Sequence, residues 1–151
     1  MQLRHDLARR ERWRADDARA IAGLVSVNYT YAGKTWDDTV PQHDMEAFGT
    51  KSMALATIAE RMRWGFPIDA EARLILIDCM VQELANPVWS ARLAATSCLV
   101  QSGVTDADPA LRARVEQMAT DPDPDVASNA RRQLEHRDEL LAATRRMKGQ
   151  P

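Results

Sequence analysis

A chain of 151 residues, 45 % of them apolar and 28 % charged, is long enough to bury one substantial core and has the composition of an ordinary globular domain. A net charge of −2 and a pI near 5.9 argue against a stand-alone nucleic-acid binder. No run of 18 apolar residues offers a membrane span, and the basic, polar N-terminus does not read as a signal peptide. The expectation is therefore a soluble protein with no membrane partner, located in the cytoplasm (of a host cell, if viral).

Charge is unevenly placed. Residues 1–24 carry +2 and residues 131–151 carry +3, whereas residues 25–130 carry −7. A basic end on each side of an acidic middle favours head-to-tail self-association or an anionic ligand at one end.

The first stretch, Gln2 to Arg14, has Leu3 and Leu7 on one side and Arg4, Arg9, Arg10, Arg12 and Arg14 around the rest, which predicts a thinly anchored basic helix or arm. Asp16 and Asp17 are placed to cap a short helix with Ala20, Ile21, Leu24 and Val25. Val25, Val27, Tyr29 and Tyr31 then alternate with polar residues, a period that suits a short β-hairpin near residues 25–35, with continued helix as the alternative. Residues 33–49 read as a long acidic loop carrying Trp36 and Phe48, the kind of segment that binds or lies on a neighbouring subunit.

From Thr50, a candidate N-cap, Met53, Leu55, Ala56, Ile58, Ala59 and Met62 recur at helical spacing until Trp64-Gly65-Phe66-Pro67 stops the helix. Asp69 opens a helix that is apolar almost all round, from Leu74 to Leu84, and is expected to be the most buried. Asn86-Pro87 breaks it. The next helix carries Trp89, Leu93, Ala94, Cys98, Leu99 and Val100, with Gly103 suited to the left-handed residue beyond its end. Asp108-Pro109 is a cap-plus-first-turn pair for a helix with Leu111, Val115 and Met118. The Asp121–Asp125 turn feeds a last helix with Val126, Ala130, Leu134, Leu140 and Leu141, and the basic tail 145–151 is expected to fray. This divides the chain into an N-terminal arm and loop (1–49) and a helical-hairpin core (50–148).

The C-terminal half repeats itself. Shifted by 35 residues, Pro87 falls on Pro122, Ala95 on Ala130 and Leu99 on Leu134, and a helix precedes each turn. Two helices per unit at such a period predict an all-α fold of stacked helical hairpins, α-solenoid-like.

Candidate chemistry is sparse. His5, His43 and His136 are far apart, and His43-Asp44-x-Glu46 has no second half to complete a metal site. Asp37-Asp38 has only Trp36 beside it to separate two carboxylate pKa values. Phosphate-loop, dinucleotide and nucleophile-elbow patterns do not occur. The expectation is a non-enzyme without metal or cofactor. Cys79 and Cys98, both in apolar helical patterns, read as buried free thiols.

Interaction candidates are clearer. In the cluster of Arg4, Arg9, Arg10, Arg12 and Arg14, the last four sit about Trp13, combining phosphate clamps with a stacking ring. Arg131, Arg132, Arg145, Arg146 and Lys148 on the last helix form a second basic cluster. Trp13, Trp36 and Phe48 are candidate interface anchors, whereas Trp64, Phe66 and Trp89 read as packing residues. A homo-oligomer is the expected state, with DNA as a candidate partner.

Segments 86–102 and 121–135 resemble HEAT-like repeats, which carry a turn with Asp or Asn and Pro followed by a second helix with Val, Ala and Leu at set positions. The resemblance covers about residues 69–135 and implies a protein–protein adaptor. Where such repeats carry Val-Arg after the turn, this chain has Ala91-Arg92 and Val126-Ala127. The stretch Ile58 to Val100, with Trp64, Pro67, Arg73 and Ser90-Ala91-Arg92, resembles small helical proteins encoded beside the packaging motor of tailed phages. That resemblance implies a small-terminase-like, ring-forming DNA-packaging subunit touching DNA through its Arg-rich ends and partnering a motor subunit.

Overall fold

The computed structural model describes residues 6–27, 30–31, 34–35 and 45–149, with side chains described for 6–27 and 51–149. Its helices, in chain order, are α1 (Ala15–Ser26), α2 (Met45–Arg63), α3 (Ala70–Glu83), α4 (Trp89–Gln101), the single turn α5 (Val104–Ala107), α6 (Pro109–Gln117) and α7 (Pro124–Met147). A 3-10 turn, Met118–Thr120, joins the α6 end to the last corner. The fold is mainly α-helical, as expected. Among the described residues strand geometry is confined to a two-residue antiparallel pairing of β1 (Thr30–Tyr31) with β2 (Lys34–Thr35), Thr30 opposite Thr35, and an isolated parallel bridge between Trp13 and Ile68.

Helix ends follow local chemistry. Asp108 accepts hydrogen bonds from the Ala110 and Leu111 N–H groups (3.0 and 3.2 Å), with Pro109 in the first turn. Asp123 does the same for Asp125 and Val126 (2.9 and 3.2 Å), with Pro124 following. Gly103 sits at φ +84° immediately after the α4 cap, and Gly65 at φ +73° after α2, a region that an L side chain enters only with strain.

Helix α1 lies against α3, α2 against α4, and α4 against α7. The pairs α1–α2, α3–α4 and α6–α7 also touch internally. One hydrophobic cluster runs through them from Leu7 and Trp13 to Leu134, with Leu55, Ile58, Leu76, Met80, Leu99, Val115 and Val126 fully enclosed. The described part of residues 1–49 therefore shares its core with the helices that follow. Ala95 and Ala130 are both fully buried, and Leu99 and Leu134 both belong to the core cluster. Helices α4 and α7 also begin at equivalent positions, Trp89 and Pro124.

Several boundaries differ from expectation. Among residues 6–14 only 6–8 are helical, because Trp13 pairs its backbone with the stretch after α2: its N–H donates to the Pro67 carbonyl (3.0 Å) and its carbonyl accepts from Asp69 N–H (2.9 Å). Helix α1 is capped by Arg14, whose N–H donates to Asp17 Oδ2 (2.9 Å), so Asp17 sits in the first turn. The helix continues to Ser26, which takes Val25 and Ser26 out of any strand. Thr50 is inside α2, which starts at Met45; the remainder of the expected loop, 36–44, lies outside the described residues. The basic tail is helical through Met147. Helix α3 is not enclosed all round: Leu74 is 69 % exposed, because α1 and α4, which pack against this helix, cover only part of its circumference.

Candidate interaction surfaces

Two of the N-terminal arginines pair with carboxylates while remaining exposed. Arg12 Nη1 donates to Asp69 Oδ1 at 2.6 Å, and Arg10 lies 3.6 Å from Asp17. Trp13, expected as an exposed stacking ring and interface anchor, is only 1 % exposed and is corrected to a core residue. Its indole N–H donates to the Leu7 carbonyl (3.3 Å), and its ring meets Phe66 edge-on at 5.2 Å. Arg61 covers this aromatic pair, 4.3 Å from the Phe66 centroid, and donates to the Ala8 carbonyl. Burial of Trp13 follows from its backbone pairing, which points the ring into the space between α1 and α2. Arg9 and Arg14 are exposed. Arg4 and Trp36 lie outside the described residues, as does the Phe48 side chain.

The C-terminal cluster divides. Arg131 donates to the Ala119 carbonyl (3.0 Å) and Arg132 to Asn129 Oδ1 (3.3 Å), so both brace α7. Asn129, nearly enclosed, in turn donates to Ser97 Oγ at 2.9 Å and straps α7 to α4. Arg145, Arg146 and Lys148 are exposed at the end of α7, without an ion pair among the described residues.

Two buried polar assemblies hold the corners. Arg92 on α4 places Nε and Nη2 on the two oxygens of Asp121, both at 2.9 Å, while Nη1 donates to the Asn86 and Pro87 carbonyls (2.9 and 3.2 Å). One guanidinium thus ties the α3–α4 corner to the corner before α7. Arg92 holds the Asp121 carboxyl below the usual carboxylate range; desolvation opposes this and the Asp123 N–H assists. Lys51 on α2 meets Glu83 at 2.6 Å, and Asn86 donates to the same carboxylate oxygen (2.8 Å). On the surface, Arg112 grips Asp138 with both terminal nitrogens (2.7 and 2.9 Å), and Arg137 is paired with Asp106.

Reactive groups are muted. Burial pushes the Cys79 and Cys98 thiols up to about 12, with nearby Glu83 and Asp78 adding to the effect at Cys79. Among the described residues no group of three or more His, Cys, Asp and Glu side chains could hold a metal ion. The Asp37-Asp38 pair and His43 lie outside those residues, as does the Glu46 side chain. No described helix is long and apolar enough to cross a membrane.

A polar groove escaped the sequence reading. Arg63 at the end of α2, Gln101 at the end of α4, and Gln133, His136, Arg137 and Leu140 of α7 line about 270 Å³. Trp64, expected as a packing residue, is 73 % exposed and follows Arg63 in the chain, with the Arg63 guanidinium 5.1 Å from its ring centroid. The one sequence signal was position: a tryptophan immediately before the helix-ending glycine has no following turn to pack against.

Comparison of the chain with protein-family models, with curated proteins and with solved structures gives no match.

Proposed function

We propose that this chain is a non-catalytic assembly or adaptor module, built as a short HEAT-like stack whose helices α2, α4 and α7 offer a binding face. The observation that carries the reading is the Arg92 clamp, which joins two proline-marked corners and fixes neighbouring hairpins in one register. Such a tie suits a stack in which each unit is held by its neighbour. The muted thiols and the commitment of Arg12, Arg92, Arg112 and Arg137 to structural ion pairs agree with binding rather than catalysis. Cross-linking of the full chain with mass spectrometry tests it. Links between copies, or to a co-purifying protein, should concentrate on exposed residues of α2, α4 and α7. A monomer whose links avoid those helices would reject it.

A second reading, the small-terminase-like DNA-packaging subunit, is favoured by one feature: the exposed, unpaired Arg145, Arg146 and Lys148. It predicts a ring-sized mass by light scattering and salt-sensitive DNA retention. Retention should be lost in the triple alanine variant of those residues and kept in Arg12→Ala, since Arg12 is already committed to Asp69. A monomer indifferent to DNA at low salt would end this reading.

A further inference from the structure

The groove between the ends of α2 and α4 and the middle of α7 is chemically one-sided. Among the described residues no carboxylate lines it. Arg63 makes no ion pair there and instead lies against the Trp64 ring at 5.1 Å. Arg137 commits Nε and Nη2 to Asp106, which leaves Nη1 with its donors. The Gln101 and Gln133 amides meet only across 3.5 Å, so they retain donors and acceptors for another group. Trp64, at 73 % exposure, keeps open the ring surface that the guanidinium does not cover.

We propose that this groove binds a nucleoside phosphate unit, with its phosphate among Arg63, His136 and Arg137 Nη1 and its base stacked on the open surface of Trp64. A simple anion would account for the donors but not for a flat indole left in solvent against Arg63, one of those donors. An aromatic base joined to a phosphate uses both, because stacking tolerates any base while guanidinium donors take phosphate oxygens. The paired amides are placed for a base or sugar edge. Either a free nucleotide or one unit of a single strand presents this chemistry. The site is separate from the Arg-rich ends, and it goes beyond the adaptor reading without depending on it.

The test is titration of the full chain at low salt with AMP and, separately, with a short oligothymidylate, read by tryptophan fluorescence. Quenching is expected with at least one of them; a strand that binds more tightly than AMP identifies a strand site, and equal affinity identifies a nucleotide site. Trp64→Ala should weaken binding about tenfold or more and remove the quenching, while Trp64→Phe should keep most of the affinity. Arg63→Gln should flatten the fall of affinity with salt. Both positions are exposed, so unchanged helical circular dichroism will separate lost binding from lost fold. The proposal is overturned by absence of binding of both ligands, by a Trp64→Ala variant that binds as the parent does, or by a polyglutamate peptide that competes as well as the strand.

Discussion

Removing the Arg92 guanidinium should be strongly destabilising. The Arg92 and Asp121 side chains are 15 % and 6 % exposed, and they meet through two hydrogen bonds of 2.9 Å. Arg92→Met keeps the aliphatic stem but leaves a nearly enclosed carboxylate with only its bond from Asp123 N–H, and strips the Asn86 and Pro87 carbonyls of a donor. Breaking such a pair from one side typically costs about 3–5 kcal/mol; the surviving Asp123 bond and partial water access place this case at about 3 kcal/mol. For a chain of this length that is a fall in Tm of roughly 6–12 °C. Asp121→Asn should cost less, about 2 kcal/mol, since a neutral amide is less penalised there. The double variant should fall well short of the sum, with a coupling of about 1–2 kcal/mol. The sign with pH is fixed by the lowered Asp121 pKa: the contribution is present above the ordinary aspartate value, about 3.9, and is lost as pH falls through the folded value. Urea titrations followed at 222 nm should therefore show the Arg92→Met deficit in full near neutrality and shrinking in strong acid. Additive single effects, or a deficit equal at both pH values, would refute the clamp.

Trp13→Ala should be severe, about 3–5 kcal/mol by chemical denaturation, because it empties a fully enclosed indole site where three chain segments meet; a loss below about 1 kcal/mol would falsify the core assignment. Gly103→Ala should cost about 1–2 kcal/mol. Its φ is +84° and a Cβ would lie 3.1 Å from an Arg137 nitrogen that Asp106 holds in place, so an unchanged Tm would contradict that geometry. Cys79 and Cys98, with thiols pushed up to about 12, should resist a disulfide reagent in the native protein near pH 8 and react promptly in denaturant; fast native labelling of both would count against their burial.

Helix ends were the most legible part of this chain. A cap or a left-handed glycine acts within three or four residues, so Asp108-Pro109, Gly65, Gly103 and the Asp121–Asp125 turn carried their meaning locally. The Asn86-Pro87 and Pro122 corners marked helix boundaries for the same reason. The start of α2 was missed although Asp44, a good capping residue type, directly precedes Met45: Gly49 and Thr50, just ahead of the strong apolar period, imitate a later start. The arginines were the least legible. Arg12 finds Asp69 and Arg92 finds Asp121 across separations of 57 and 29 residues, and only assembly of the helices reveals which charges are neutralised.

The two tryptophans make the division plain. Trp13 and Trp64 each follow an arginine in the sequence, and composition cannot rank them. Local pattern determined that this chain is mainly helical, where most of its later helices stop and where it doubles back, because those outcomes depend on backbone geometry within one turn. Tertiary structure decided that Trp13 is enclosed and Trp64 displayed, and that a cationic groove forms where α2, α4 and α7 meet. Burial and charge pairing belong to neighbours brought from elsewhere in the chain, and no window of sequence contains them.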